Sequence, residues 1–274
     1  MSAPKPEGLV PADIHYDVDE AVRYHKSSRN NEIQRALAQR CLELLELDVT
    51  CVESVPLVLD IGCGSGLSGD ILSEAGVPWI GMDLSQSMLE IAREERADAE
   101  LLRADIGELQ NVVPNTFDGA ISVSVIQWLC HAFTSEQEPL RRLRQFFQWL
   151  YNALNKSARA VFQFYPSHQS QVDMIGKAAS QVGFSTYFLI DNAESTKKKK
   201  VFLIVTIGQP EARSLVGSTM AAASNSPRAA KHKGRQKPQS RKEWVVKKKE
   251  KMRALGKEVK SDSKYTGRKR KDRL

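Results

Sequence analysis

Leu59-Asp60-Ile61-Gly62-Cys63-Gly64-Ser65-Gly66 is the stretch on which the fold turns. An apolar run, Pro56 to Ile61, meets an acid and then glycines at alternate positions. The run reads as a strand of a buried parallel sheet. The glycines permit a sharp turn and bring main chain close to a ligand. A helix over Leu67 to Ala75 should then aim its first amide groups at that ligand. Strand, glycine turn and helix in this order make the first βα unit of a nucleotide-type Rossmann sheet.

A glycine turn alone is weak evidence, since dinucleotide enzymes use a similar one. Two downstream acids sharpen it. The next strand, Pro78 to Met82, ends in Asp83-Leu84-Ser85, where a carboxylate can accept from both ribose hydroxyls of a nucleoside. A third strand, ending near Ala104, delivers Asp105 to an adenine amino group while Ile106 packs on the ring. Three acids, Asp60, Asp83 and Asp105, are a poor seat for a pyrophosphate but suit a cationic ligand with an amino acid tail. The pattern points to S-adenosylmethionine and resembles the class I methyltransferases. Its candidate contacts are Asp60, Gly62, Gly64, Ser65 and Gly66, then Asp83 and Leu84, then Asp105, Ile106 and Ser122. The competing reading is an ordinary α/β sheet whose strand-end acids cap helices.

The net charge of +7 conceals an asymmetry. Residues 1–210 hold 19 Lys/Arg against 27 Asp/Glu, whereas residues 211–274 hold 21 against 6. An acidic body with a polycationic tail is expected to bind phosphate backbones with little sequence preference and a steep salt dependence. The cysteines Cys41, Cys51, Cys63 and Cys130 form no C-x-x-C pair, so neither a zinc site nor a disulfide framework is expected, and no metal site is assigned. The first ten residues lack the apolar core of a signal peptide, and no apolar run is long enough to span a membrane.

Along the chain, residues 1–29 form an N-terminal lead, with a Pro-rich start read as flexible and then His15, Tyr16, Tyr24 and His25 as aromatic punctuation. Residues 30–208 carry the α/β pattern. A helix is expected over Asn30 to Leu47, capped by Asn30 or Asn31. Further helices are expected at Gln86 to Glu95, capped by Ser85, at Glu138 to Leu154 and at Gln169 to Val182. Strands are expected at Phe117 to Val123, Ala160 to Phe164, Tyr187 to Ile190 and Val201 to Ile207. The sum is a seven-stranded, mostly parallel sheet with helices on both faces and its last strand antiparallel. Residues 209–274 read as a basic, largely disordered tail, with a short helix near Trp244 to Leu255.

The loop after the fourth strand faces the transferred group in such sheets. Here it reads Ser122-Val123-Ser124-Val125-Ile126-Gln127-Trp128-Leu129-Cys130-His131. It lacks the Asp/Asn-Pro-Pro-aromatic motif that holds an exocyclic amine, and Cys130 has no preceding Pro. Cys130 therefore reads as a packed residue. A ring nitrogen such as guanine N7 offers an in-plane lone pair and needs no general base, so aromatic walls and orientation suffice. Trp128, Tyr165 and His131 are the candidate walls and anchors of that pocket, with packing beneath the loop as the competing role for Trp128. Lys197-Lys198-Lys199-Lys200 should lie on the cofactor side, either as a solvated turn or as a phosphate clamp. In the tail, Lys247-Lys248-Lys249 and Arg268-Lys269-Arg270 are candidate RNA contacts and resemble nuclear import signals.

Along almost its full length the chain resembles the eukaryotic 18S ribosomal RNA (guanine-N7)-methyltransferases. The resemblance is carried by Asp17 to Tyr24, by Asp60 to Gly69, by Phe117-Asp118-Gly119 and by Ile126 to Cys130. Phe164-Tyr165-Pro166, Gly183-Phe184-Ser185 and Tyr265 to Lys271 follow in order. Gln86 departs from the Pro usual after Leu84-Ser85. The resemblance implies N7-methylation of a small-subunit rRNA guanine, a role in ribosome biogenesis, and a nuclear and nucleolar site that leaves room for a cytoplasmic pool. It also implies a small zinc-binding activator subunit, which the open edge at Glu100 to Ala104 could take as an added strand. The alternatives are a small-molecule methyltransferase and an assembly factor that binds without needing to catalyse.

Overall fold

The structure is a computed structural model that describes residues 5–47, 55–109, 111–134, 137–195, 198–208 and 219–222, with Lys249, Arg253 and Ser261. The sheet and its helices lie in the compact unit Met1–Ser224. The chain opens with a 3-10 turn at Pro6–Gly8 and the helices α1 (Ala12–His15), α2 (Val18–Lys26) and α3 (Ser28–Leu45). Then come β1 (Val58–Ile61), α4 (Leu67–Glu74), β2 (Trp79–Asp83), α5 (Gln86–Glu95), β3 (Glu100–Arg103) and β4 (Phe117–Val123). A 3-10 turn at Ile126–Cys130 leads to α6 (Pro139–Ala153), β5 (Leu154–Phe164), α7 (Gln169–Val182), β6 (Phe184–Asp191), β7 (Lys200–Ile207) and β8 (Thr219–Ala222).

The sheet order is β3-β2-β1-β4-β5-β7-β6-β8. Strands β1 to β5 pair in parallel, and β7 lies antiparallel between β5 and β6. The seven strands and the antiparallel β7 read from the sequence are present. The short β8, which the sequence placed within the linker, adds an eighth strand by antiparallel pairing to β6. The chain leaves β1 towards β2 on one side and returns as β4 on the other, and ligands of open α/β sheets bind at the strand ends of such a switch point.

Successive strand residues feed opposite layers. Val58, Ile121, Val161 and Phe202 pack with Leu37, Cys41 and Leu44 of α3 and Leu72 of α4. Leu59, Ala120, Phe162 and Leu203 pack with Phe146 and Phe147 of α6 and Ile175 of α7. The helix ends follow local chemistry. Ser85 Oγ accepts from Met88 N as the α5 cap, and Gly183, at φ 118°, stops α7 in the left-handed conformation. The cap of α3 is Ser27, whose Oγ accepts from Asn30 N, rather than Asn30 or Asn31. Ser27 and the two asparagines are all good caps by type. The helix takes the earliest, which leaves Asn31 free to donate to the carbonyl of His25.

The larger departure is the N-terminal lead. From Lys5 onward it is folded against the sheet's carboxyl edge. Lys5 Nζ donates to the Tyr165 carbonyl at 2.7 Å, Ser85 Oγ donates to the Tyr16 carbonyl at 2.8 Å, and Glu7 is buried. Three prolines near the start argue for a weak local structure, and the docking comes instead from contacts with residues far along the chain. Among the described residues no helix is long and apolar enough to cross a membrane.

Candidate active site

A cavity of about 350 Å³ opens at the carboxyl ends of β1, β2 and β4. Its floor is the glycine turn. Gly62 N and Cys63 N donate to the Met82 carbonyl at 2.7 and 3.0 Å, which ties the turn to the end of β2. Gly62 has φ +72°, and a Cβ there would strike the Val125 side chain, so only glycine lets the two loops meet. Gly64 has φ +54°, and a Cβ there would meet no protein atom within 4 Å, because that side of the residue faces the cavity.

Asp83 is held by the turn on one side and by its own loop on the other. Its Oδ2 accepts from Gly64 N at 2.9 Å and its Oδ1 from Ser85 N at 2.8 Å. A carboxylate offers about four lone-pair sites. Each oxygen therefore keeps acceptor capacity towards the cavity, as two ribose hydroxyls require. Burial pushes the Asp83 carboxyl up, and the Ser85, Gly64 and Leu84 amides oppose that shift. Ser65 also lines the cavity, and its buried Oγ has no partner among the described residues. An orphaned hydroxyl beside a glycine turn and a two-sided acceptor fit a nucleoside with an amino acid tail.

Ala104, Asp105, Ile106, Leu84 and Met88 also line the cavity, and Leu84, Asp105 and Ile106 are among the candidate cofactor contacts. Three of the candidate cofactor residues stand elsewhere. Asp60 is fully buried beneath the turn, where its Oδ2 accepts from Ser68 Oγ at 2.6 Å and its Oδ1 has no partner among the described residues. Burial raises its pKa to about 7. Ser122 is buried in the sheet and donates to the Ile61 carbonyl, tying β4 to β1. Gly66 begins α4, and its open side is filled by Arg96. Asp60, Ser122 and Gly66 therefore shape the cradle from behind: the first two because strand side chains alternate between cavity and core, Gly66 because Arg96 packs against it.

Arg96 escaped the sequence reading. It pairs with Asp70 of α4 and donates to the Ser65 carbonyl at 2.8 Å, so it clamps the turn from outside. A lone arginine closing a helix carries no signal for that role. Arg142, one of three arginines near the start of α6, carries no such signal either. It projects from α6 onto Asp105, with both carboxylate oxygens 2.7–2.8 Å from its Nη2.

The mouth is aromatic. Trp128 lines the cavity and lies 5.8 Å from His15 and 6.1 Å from Tyr16, centroid to centroid. Tyr24 stands edge-on to Tyr16. Burial pushes both phenols up, that of Tyr24 to about 12. The other two predicted walls are not in the lining. His131 faces Gln171 Nε2 at 3.3 Å, and burial lowers its pKa. Tyr165 holds Lys5 by its carbonyl and Lys200 by its hydroxyl, with Lys200 Nζ also 4.7 Å above the ring. Pro11, Ala12, Asp13, Tyr16, Tyr24 and Gln34 take the places expected of His131 and Tyr165, because the N-terminal segment, held to Tyr165 through Lys5, docks at that side of the cavity. Burial raises the Cys130 thiol to about 12, which suits packing and not nucleophilic attack.

Of the basic candidates, Lys198 and Lys199 are exposed and Lys200 sits at the carboxyl edge against Tyr165. Lys249 Nζ donates to the Ser261 carbonyl. Lys197, Lys247, Lys248, Arg268, Lys269 and Arg270 lie outside the described residues, as does Cys51.

A glycine turn, the Asp83 acceptor and a switch-point cavity define a class I S-adenosylmethionine-dependent methyltransferase. A general methyltransferase domain family matches residues 58–152. The fold is shared with a TehB-like SAM-dependent methyltransferase of Corynebacterium glutamicum, at TM-score 0.53 and 18% identity over 70% of this chain and all of that one. It is shared too with a Haloferax volcanii complex of the Trm112 methyltransferase activator and a putative methyltransferase, at TM-score 0.50 and 14% identity over 72% of this chain and 99% of that one. Closer likeness comes from sequence. The family described as "Methyltransferase involved in Williams-Beuren syndrome" matches residues 208–272. A probable 18S rRNA (guanine-N(7))-methyltransferase of Dictyostelium discoideum is 40% identical over 97% of this chain and 98% of its own. An 18S rRNA (guanine-N(7))-methyltransferase of Arabidopsis thaliana is 42% identical over 98% and 99%. The chain belongs to the 18S rRNA (guanine-N7)-methyltransferase family.

Proposed function

We propose that this chain methylates N7 of a guanine in 18S rRNA, using S-adenosylmethionine, during maturation of the small ribosomal subunit. One observation carries the reading beyond the kinship: the mouth of the cavity is walled by the rings of Trp128, Tyr16 and Tyr24, and among the described residues the one lining carboxylate besides Asp83 and Asp105 is Asp13, exposed at the rim. The Asp83 oxygens are held by amides, the Cys130 thiol stays protonated, and His131 is turned to Gln171. Such a site suits an acceptor that needs orientation and dryness and no proton removal.

The bound cofactor supplies an electrophilic methyl group on a sulfonium. The chain supplies the rest. Asp83 orients the ribose and Asp105 with Ile106 holds the adenine. Trp128 and Tyr16 stack or flank the guanine so that its N7 lone pair lies in line. Guanine N7 carries no proton, so no residue has to take one. The Lys198 to Lys200 turn and the basic tail hold the RNA backbone, the latter with a net +15 over residues 211–274. The tail also directs the protein to the nucleus and nucleolus.

The β3 edge is the site for the activator subunit. Strand β3 ends the sheet, Leu102 is 48% exposed on it, and Val113 nearby is 74% exposed. An open edge with an exposed Leu102 between charged Glu100 and Arg103 still offers unpaired main chain for an added strand. The Haloferax complex pairs a putative methyltransferase of this fold with the Trm112 methyltransferase activator, which supports an activator subunit of that kind here. Leu102→Pro should abolish co-purification with the activator while the core remains folded.

The direct test is methyl transfer by the full chain, co-expressed with the activator, to small-subunit particles lacking the modification. Label should appear as N7-methylguanosine in the small-subunit RNA, located by chemical cleavage at that base. Label at another ring position, or on small molecules only, would overturn the reading.

A further inference from the structure

We infer that Arg142 is the positioning residue for adenine recognition, acting through Asp105 and made possible by Gly107. The inference rests on the reading of the cavity as an S-adenosylmethionine site. Asp105 lies in the loop after β3, a strand of four residues at the sheet edge. No regular element fixes its carboxylate. Arg142 does lie on one, the fifteen-residue helix α6, on the buried face that also carries core residues Leu143 and Phe146. Its side chain is 9% exposed, and it ties the edge loop to the rigid core.

The hydrogen bonds then determine what Asp105 can still accept. Oδ1 takes Gly107 N at 2.7 Å and Arg142 Nη2 at 2.8 Å, which fills it. Oδ2 takes only Arg142 Nη2 at 2.7 Å among the described residues and keeps a lone pair. Asp105 and Arg142 both line the cavity. The pair thus presents one acceptor, held in one rotamer by the guanidinium, to a group that donates. An adenine amino group donates, and a hypoxanthine carbonyl does not.

Gly107 is the second half of the device. A Cβ there would lie 2.6 Å from Arg142 Nη2 and 2.7 Å from Cζ. The glycine is therefore space for the guanidinium. Arg142 Nε is buried and has no partner among the described residues. A buried donor left unpartnered is costly, so stability alone is a poor reason for this arginine to sit here.

The test compares binding of S-adenosylhomocysteine with that of S-inosylhomocysteine, by calorimetry on the full chain with its activator. The inosyl compound replaces the amino group by a carbonyl. Wild type should prefer the adenosyl compound by about tenfold or more, as for a hydrogen bond to a charged acceptor. Arg142→Met and Gly107→Ala should each bring that preference to within about threefold, and the double variant should lose no more than either alone. Arg142→Lys, which keeps a charged donor but not the planar guanidinium that fixes its direction, should recover part of it. A variant that is merely less stable would bind less of both ligands with the ratio intact. An unchanged ratio in Arg142→Met overturns the role of Arg142. Equal binding of both compounds by wild type overturns the placement of adenine against Asp105 itself, and the role of Arg142 with it.

Discussion

The floor and the mouth of the cavity are built by different means. The floor is main chain held by main chain and by acids close in sequence: Gly62, Cys63 and Gly64 tied to Met82 and Asp83. The mouth is side chain brought from afar: Tyr16 and His15 laid on Trp128, and Lys5 bonded to Tyr165, 160 residues away. A floor of that kind tolerates almost no change in the residue that touches ligand. A mouth of this kind can loosen without dismantling the cofactor site. The two should therefore fail differently.

The largest effect is expected at the floor. Gly64→Glu places a side chain in the cavity at a residue with φ +54°. Asp83→Lys replaces the two-sided acceptor with a cation. Each should weaken S-adenosylmethionine binding by at least about 100-fold, since several charged hydrogen bonds are lost together. Calorimetry on folded variants checks this, and near-normal affinity would break the assignment of the floor.

Next comes the mouth. Trp128→Ala should lower the rate of transfer by about 10- to 100-fold through misplacement of the acceptor. Affinity for S-adenosylhomocysteine should change by less than about threefold, because the adenosine contacts lie elsewhere. Single-turnover transfer set beside calorimetry sharpens the comparison. A parallel loss of both would mean that floor and mouth are one unit.

The smallest effect concerns the layer behind the floor. The pKa of Asp60 is raised to about 7, mainly by burial, with Asp83 adding to the shift and Ser68 opposing it. Its protonated form is thus favoured by folding. The stability it contributes is present in full below the ordinary carboxylate range, near pH 4. It is lost as pH rises towards 7, where the native group ionises. Asp60→Asn should remove that dependence, so the variant should melt higher than wild type at pH 8 and lose the advantage at pH 4 to 5. Melting curves across that range check the sign, and cofactor affinity should move little because Asp60 does not line the cavity.

The same contrast explains what could be read from the chain alone. Gln86–Glu95, Phe117–Val123 and Gln169–Val182 match their expected bounds, since a cap, an apolar run and a stopping glycine are local signals. Leu84, Asp105 and Ile106 reach the cavity because strand ends converge at a switch point whatever the loops do. Asp60 and Ser122 do not, because register decides whether a strand-end side chain faces cavity or core, and a motif does not state its own register. The docked N-terminal segment, Arg96 and Arg142 were hidden for a different reason. Each acts on a partner distant in sequence, and an aromatic or an arginine in a polar stretch looks the same whether docked or solvated.

The central claim is that this cavity transfers a methyl group to guanine N7 of the small-subunit RNA. The most direct measurement replaces the endogenous protein in its own cells with the Asp83→Lys variant and maps N7-methylguanosine along 18S rRNA by mass spectrometry. The account expects a single modified guanine to lose its methyl group while every other modification remains. An 18S rRNA that keeps all its N7-methylguanosine under that replacement would contradict it.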